Sequence, residues 1–165
     1  MEQEKVIRPR NWFYELLVCA ELALIIAIWQ MVFRSWLYAF LFGGATYLIL
    51  AWTLRLILQR HHRKGMKLLR QKKYEEAAVA FQNSISFFTK HPWIDKYRFI
   101  TMFSSNAIPY QQMALNNLGI CYLHMGEDVK ALEAFAKLSE LNGNYPYIDK
   151  TLEELQKRIG KTAKL

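Results

Sequence analysis

Residues 16–33, LLVCAELALIIAIWQMVF, and residues 36–54, WLYAFLFGGATYLILAWTL, are two long apolar runs separated by a short turn. The first run contains one charged residue, Glu21, and the second contains none. Each run approaches the roughly 20 residues that a helix needs to cross the hydrocarbon of a bilayer. We therefore expect residues 11–58 to form a transmembrane helical hairpin.

A secretory signal peptide is the competing interpretation of the first run, because basic residues precede its apolar core. However, no small-residue cleavage site follows Phe33, and the second apolar run begins almost at once. A helix lying on the membrane surface needs a charged face, which residues 36–54 lack. Two spans, at about 12–33 and 36–57, are the prediction that accounts for both runs.

Basic residues flank the two runs unevenly. Residues 55–73 contain eight Lys and Arg and no acidic residue, whereas Arg34 is the only basic residue of the turn. Because basic flanks stay on the cytoplasmic side, we expect both termini, including residues 1–10, to be cytoplasmic. The expected membrane is a plasma membrane of bacterial type. Clustered basic groups also attract anionic lipid headgroups. The residues predicted to do so are Arg60, Arg63, Lys64 and Lys67.

Other functions of the basic segment and of the polar residues find little support. Clustered Lys and Arg also bind nucleic acid, but the position directly after a span is a sufficient cause for them. Cys19 lies in the first run and Cys121 far beyond it, so no disulfide framework is expected. The four histidines lack metal-ligand spacing, and no nucleophile–base pair or phosphate loop is present. We expect no enzyme, no metal, no cofactor and no nucleic-acid partner.

The chain after the basic segment contains an internal repeat. Counting from Gly65 and from Gly119, both copies place an apolar or aromatic residue at offset three, alanine at offset twelve and phenylalanine at offset sixteen. These residues are Leu68, Ala77 and Phe81 in the first copy, and Tyr122, Ala131 and Phe135 in the second. The second copy adds Gly126 at the predicted turn, where the first has a basic residue. The pattern resembles the tetratricopeptide repeat, a helix–turn–helix unit.

This resemblance implies an all-α protein, in which the transmembrane hairpin precedes a small repeat domain with a C-terminal capping helix. Residues 59–91 would form the first repeat and residues 112–145 the second. The capping helix and a basic tail would occupy residues 146–165. Because the family period is about 34 residues, residues 92–111 are interpreted as an insertion.

The insertion is rich in aromatic residues and has two interpretations. It can complete the repeat core as a third helical layer, since arrays usually need three or more units. Alternatively, its aromatic face docks on a partner or enters the membrane interface, where Trp and Tyr are favoured. The candidate contact residues are Trp93, Tyr97 and Phe99.

The resemblance also implies protein recognition, because the first helices of such repeats line a concave surface that receives a peptide or a helix. Asn117 matches an asparagine with which many peptide-binding members hold the ligand backbone. Asn116 beside it, which is expected to be exposed, and Tyr122 on the same helix are the other candidate protein-binding residues of this surface. The basic residues that some members use for a terminal carboxylate are not present as a pattern.

Glu21 is the unusual residue of the first span, because an ionisable group in hydrocarbon normally faces a partner or a cavity. Two states are open: a protonated carboxyl bonded to Thr46 or Tyr47, or a carboxylate reserved for a basic group of another membrane protein. A turn centred near residues 34 and 35 also places Ala27 opposite Gly43, where small residues permit close helix contact.

These features predict a membrane-anchored adaptor or scaffold that recruits or assembles other proteins at the cytoplasmic face. We expect one of these partners to be an integral membrane protein. The alternative is a structural accessory subunit of a larger integral membrane complex, bound mainly through the hairpin and Glu21. Direct remodelling of anionic membranes by the basic segment is a third possibility. Homo-oligomers are compatible with each of them.

Overall fold

The computed structural model describes residues 12–141 and 148–162. The predicted cytoplasmic segment 1–10, the end of the second predicted repeat and the last residues of the chain lie outside this range. The described residues form nine helices, which confirms the predicted all-α class. They are α1 (Trp12–Phe33), α2 (Trp36–Leu58), α3 (Arg60–Arg70), α4 (Tyr74–Lys90), α5 (Pro92–Lys96), α6 (Arg98–Thr101), α7 (Tyr110–Met125), α8 (Asp128–Glu140) and α9 (Ile148–Thr162).

Two helices, α1 and α2, are long and apolar enough to cross a membrane by length and composition. The chain divides into two compact units. The first unit contains α1 and α2 together with residues 92–108, and the second contains residues 60–91 and the chain from Pro109 onward.

In the first unit, α1 and α2 run in opposite directions and pack closely at Gly43. A Cβ added to Gly43 would lie 2.8 Å from the Ile26 side chain and 3.0 Å from the Ile26 Cα. Further along, the Trp29 indole donates a hydrogen bond of 3.1 Å to the Thr46 hydroxyl. Gly43 was predicted to lie opposite Ala27, but Ile26 occupies that position and the Ala27 side chain is exposed. The prediction was therefore wrong by one residue along α1. Adjacent residues of a helix point about 100° apart, so an error of one residue changes the face.

The inserted segment packs on α1 and α2. Phe99 of α6 stacks on Tyr14 of α1 with ring centroids 5.4 Å apart. Phe103 meets Tyr47 of α2 edge to face at 5.0 Å. The sequence analysis had placed this segment either in the repeat core or against a partner or the membrane interface. It did not predict packing on α1 and α2. It is also shorter than predicted, because residues 109–111 belong to the second unit and α7 begins at Tyr110.

In the second unit, the helices pack in chain order: α3 against α4, α4 against α7, α7 against α8, and α8 against α9. One apolar cluster lies between α3, α4 and α7, and a second between α7, α8 and α9. In the second cluster α9 contributes Ile148 and Leu155, which are 2% and 1% exposed. The C-terminal helix therefore covers apolar surface that α8 would otherwise leave open.

The pairs α3–α4 and α7–α8 have matching interiors. A Cβ added to Gly65 would lie 2.7 Å from the Phe81 ring, and one added to Gly119 would lie 2.6 Å from the Phe135 ring. Both rings are almost fully buried, at 0% and 1% exposed. In each pair, glycine lets the second helix approach closely, and the aromatic ring fills the space beside it.

The turns of the two pairs also match. Lys72 ends the first turn with φ of 59°, and Gly126 ends the second with φ of 75°. The following amides bond back into the preceding helix at 3.0 Å in both turns, from Lys73 to Leu68 and from Glu127 to Tyr122. This arrangement satisfies carbonyl groups at the end of the first helix of each pair. The basic residue in the first turn therefore adopts the left-handed conformation that glycine adopts in the second.

Candidate functional site

The first helices of the two pairs, α3 and α7, lie close enough to exchange a side-chain contact. The Asn117 amide nitrogen lies 3.2 Å from the Met66 sulfur, and both side chains are partly exposed. Arg63 of α3 is exposed and occupies the position equivalent to Asn117, counted from Gly65 and Gly119. We call the partly exposed or exposed residues Arg63, Met66 and Asn117 the α3/α7 face. It combines a cation, a soft apolar side chain and an amide.

Asn116 does not belong to this surface. Its side chain is buried, at 8% exposed, so the expectation that it is exposed was wrong. The reason is the packing of α7 between α4 and α8, which encloses more of its circumference than a single neighbouring helix would. His62, at the equivalent position of α3, is buried to the same extent and contacts the rings of Phe81 and Tyr110.

Tyr122 is engaged within its own unit. Its hydroxyl accepts a hydrogen bond of 2.7 Å from the Gln82 amide, and the Lys130 ammonium lies 5.9 Å from the ring centroid. The ring packs against both apolar clusters of the unit. Tyr122 therefore connects α7 to α4 and α8, and any partner contact it makes would have to use its remaining exposed surface.

The predicted headgroup residues share one face of α3. His62, Gly65 and Leu68 form its buried side. These positions recur every three residues and so lie on one side of the helix. The opposite side is turned away from the core. The exposed side chains on that side are Arg60, Arg63, Lys64, Lys67 and Arg70. We call this set the basic face of α3.

His61 adds no charge to the basic face at neutral pH. Partial burial and the nearby Arg60 and Lys64 lower the pKa of His61 below its usual value. The neutral ring accepts a hydrogen bond of 3.1 Å from the Arg60 guanidinium. Acidification below this lowered pKa would add one positive charge to the α3 surface.

The carboxylate of Glu21 has no hydrogen-bond partner among the described residues, although both of its oxygens are buried. Thr46, one of the two partners expected for it, accepts from Trp29 instead. Tyr47, the other, packs its ring against Phe103. The structure therefore lacks the hydrogen bond to Thr46 or Tyr47 that was one of the two expectations, and both carboxyl oxygens of Glu21 are buried without a hydrogen bond in the described part of the chain.

The three aromatic residues predicted to make contacts in the insertion separate into two groups. Trp93 and Tyr97 are 57% and 45% exposed. Phe99 is partly buried by its stack on Tyr14. Phe99 therefore holds the segment on α1, while Trp93 and Tyr97 remain open.

Arg55 and Arg98 are two residues of evident structural importance that the sequence analysis did not single out in this role. The Arg55 guanidinium donates to the backbone carbonyls of Met102, at 2.9 Å, and of Phe103. Arg98 is 4% exposed and donates to the carbonyls of Asp95, Asn106 and Ala107. For Arg98 the available signal was its position beside Tyr97, Phe99 and Ile100, because burial of a guanidinium among such residues requires acceptors.

The described residues give little support for metal binding or for a reactive cysteine. No group of three or more His, Cys, Asp or Glu side chains within them could hold a metal ion. Cys121 is fully buried, and burial raises the pKa of its thiol to about 12. It therefore remains protonated and unreactive at neutral pH.

In comparisons with known proteins, no family model, no curated protein and no solved structure matches this chain. The assignment of a function therefore depends on the physical features described above.

Proposed function

We propose that this protein is a membrane-anchored adaptor. In this proposal α1 and α2 cross the membrane as a hairpin, and the two tetratricopeptide-like helix pairs present the α3/α7 face to a protein partner in the cytoplasm. The observation that carries the proposal is the repetition of one helix-pair geometry, Gly65 against Phe81 and Gly119 against Phe135. Repeated helix pairs form extended binding surfaces.

The chemistry of the α3/α7 face favours an extended segment with acidic side chains. Asn117 can donate to and accept from a peptide backbone, and Met66 offers an adaptable apolar contact. Arg63 adds a positive charge at an exposed position of α3. A segment with carboxylates would gain both electrostatic attraction and charge-assisted hydrogen bonds there.

Photo-crosslinking in the intact membrane tests this surface. A photoreactive residue in place of Asn117 should capture a discrete partner chain, whereas one in place of Val79, which is 57% exposed on α4, should not. The captured chain is then purified, and its affinity is compared for the full-length protein and for Asn117→Leu. We expect roughly a tenfold loss, equivalent to about 1.4 kcal/mol. Equal capture at both positions, or an unchanged affinity, would reject the proposal.

The membrane topology has its own test. We place the turn between α1 and α2 outside the cytoplasm and the basic face of α3 inside it, because basic residues concentrate after α2. In intact cells, a membrane-impermeant thiol reagent should label Ser35→Cys but not Lys67→Cys. Labelling of Lys67→Cys before the cells are broken would show that this orientation is wrong. Once the cells are opened, both positions should react.

A second candidate function is that of an accessory subunit of an integral membrane complex, which the unpartnered Glu21 carboxylate favours. A basic residue on a neighbouring transmembrane helix would satisfy it. Copurification from detergent separates the two functions. Loss of the partner with Glu21→Leu but not with Asn117→Leu favours the subunit, and the reverse result favours the adaptor.

A further inference from the structure

The segment from Pro92 to Thr101 has two chemically distinct sides. Ile94, Asp95 and Arg98 are buried, at 7%, 5% and 4% exposed. Trp93, Tyr97 and Ile100 are 57%, 45% and 54% exposed. The spacing of these three residues places them on one side of a helical segment. The segment therefore exposes a mainly apolar and aromatic side, which also carries Lys96, away from the core of its unit.

This segment lies at the end of the hairpin where α1 begins and α2 ends. Its Phe99 stacks on Tyr14, and the Arg98 guanidinium lies 5.1 Å from the centroid of the same ring. Phe103 extends further and contacts Tyr47. Tyr47 lies about 12 Å from Arg55 along α2, at about 1.5 Å per residue. Part of the segment therefore reaches a level well inside the apolar portion of α2.

Irregular backbone at that level needs hydrogen-bond donors, because hydrocarbon offers none. Residues 102–109 are not helical, and Arg55 donates to two of their carbonyls, those of Met102 and Phe103. Arg98 donates to two more, those of Asn106 and Ala107. The two guanidinium groups thus satisfy backbone carbonyls that would otherwise be costly to remove from water.

We infer that residues 92–108 form an interfacial membrane element, with Trp93, Tyr97 and Ile100 inserted between the lipid headgroups and the upper acyl chains. This inference rests on the proposed membrane-spanning role of α1 and α2. Continuity with exposed aromatics at the same end of the hairpin supports a lipid occupant: Trp12 is 73% exposed and Trp52 is 66% exposed. Tryptophan and tyrosine favour this boundary because each combines an apolar ring with a polar group.

Lys96 fits the same position. Its side chain is exposed, and its ammonium lies 5.5 Å from the Tyr97 ring centroid. A lysine beside an inserted aromatic can lay its aliphatic stem along the apolar surface and keep its charge among the headgroups. The segment therefore has the composition of an element lying at the interface, fastened to the hairpin by Arg55.

Spin-label accessibility in the full-length chain tests the inference. Cys19→Ala removes the exposed cysteine, and the buried Cys121 can stay. Labels are placed at Tyr97→Cys, at Leu48→Cys as the transmembrane reference, and at Val79→Cys as the aqueous reference. Leu48 and Val79 are 67% and 57% exposed. The chain is reconstituted in vesicles of mixed zwitterionic and anionic phospholipid, and collisions with oxygen and with a water-soluble nickel chelate are compared.

The expected result is a ratio of oxygen to nickel accessibility at Tyr97 that is several-fold above that at Val79 and approaches that at Leu48. If Leu48 is lipid-facing but Tyr97 matches Val79, the spans stand and the interfacial element is rejected. If Tyr97 is shielded from both reagents, a protein surface covers it, and the inference is again rejected. If Leu48 itself is in water, the membrane-spanning proposal fails, and the inference fails with it. A label at Trp93→Cys repeats the test should Tyr97→Cys disturb folding.

A second measurement tests the fastening by Arg55. Arg55→Leu removes the donors to Met102 and Phe103, so a label at Tyr97→Cys should become more mobile and more accessible to nickel. Lys137→Leu removes one positive charge from an exposed position of α8 and should leave that label unchanged. Arg55→Lys keeps the charge but not the planar fork that bonds both carbonyls, and should give an intermediate result. If all three variants behave alike, Arg55 does not hold the segment.

Discussion

The helix pairs α3–α4 and α7–α8 repeat one interior geometry but carry different exteriors. In both pairs a glycine of the first helix meets a phenylalanine ring of the second, and the amide after the turn bonds back to the first helix. Outside, α3 carries an exposed row of basic side chains, whereas α7 has no basic residue before His124. This comparison indicates that a few interior positions are enough to specify a helix pair. The exposed residues of the two pairs can therefore differ.

The largest test of the shared interior is truncation of the two buried rings. Phe81→Ala and Phe135→Ala should each reduce the free energy of unfolding by about 3–5 kcal/mol, because each leaves a cavity between paired helices. Hydrogen exchange of α3–α4 and of α7–α8, in the full-length chain in detergent micelles, measures the loss. Val129→Ala on the exposed side of α8 should change it by less than about 0.5 kcal/mol. If only one of the two substitutions greatly lowers the free energy of unfolding, the two helix pairs are not equivalent.

Overpacking the same contacts should have the next largest effect. Gly65→Ala and Gly119→Ala place a Cβ within 2.7 and 2.6 Å of the facing rings, so each should cost about 1–3 kcal/mol. The same exchange method applies.

Two controls sharpen this prediction. At Gly160 a Cβ meets nothing within 4 Å, so Gly160→Ala should be neutral or stabilising. Adding Phe135→Leu to Gly119→Ala should recover part of the loss, since the smaller side chain makes room for the methyl group. Additive costs in the double variant would show that the contact is not the cause.

The turns should respond in opposite directions. Lys72 and Gly126 have φ of 59° and 75°, a conformation that disfavours every residue with a Cβ. Lys72→Gly should therefore stabilise the first pair by about 1 kcal/mol, and Gly126→Lys should destabilise the second by a similar amount. Denaturation midpoints of the full-length variants measure both effects. Shifts of the same sign would contradict the proposed equivalence of the turns.

The smallest effect should come from the ion pairs at the helix starts. The first pair has Lys73 and Glu76 at 3.4 Å, and the second has the reversed charges, Glu127 and Lys130, at 3.3 Å. All four side chains are about half exposed. Exchanging the charges of Lys73 and Glu76 should change stability by no more than about 0.5 kcal/mol, and less at high salt. A larger change would mean that charge, as well as packing, distinguishes the pairs.

Part of the architecture follows from local pattern. Two long apolar runs are sufficient to predict α1 and α2, because few other structures accommodate such lengths without charge. The recurrence of Gly65 and Phe81 at the spacing of Gly119 and Phe135 was visible in the sequence, and these residues do meet in the structure. These features concern neighbours in sequence or residues within one helix pair, where chain geometry leaves few alternatives.

The candidate sites were less predictable. Asn116 was expected to be exposed and is buried, because the exposure of a helical residue depends on how many neighbouring helices surround it. Ala27 was expected opposite Gly43, but Ile26 occupies that position. In both cases a single residue along a helix changes the direction of the side chain by about 100°, a precision that hydrophobic pattern does not provide.

Local sequence pattern was enough to predict that the chain is helical, that two long runs are almost entirely apolar, and that one pattern of glycine, alanine and phenylalanine occurs twice. Only the tertiary structure decided that residues 92–108 pack on α1 and α2, and that Arg55 and Arg98 hold their backbone carbonyls. The physical reason is the separation of the contacting residues along the sequence. Helix formation and pairing depend on residues a few turns apart, whereas the contact of Arg55 with Met102 joins distant parts of the chain, which no local pattern specifies.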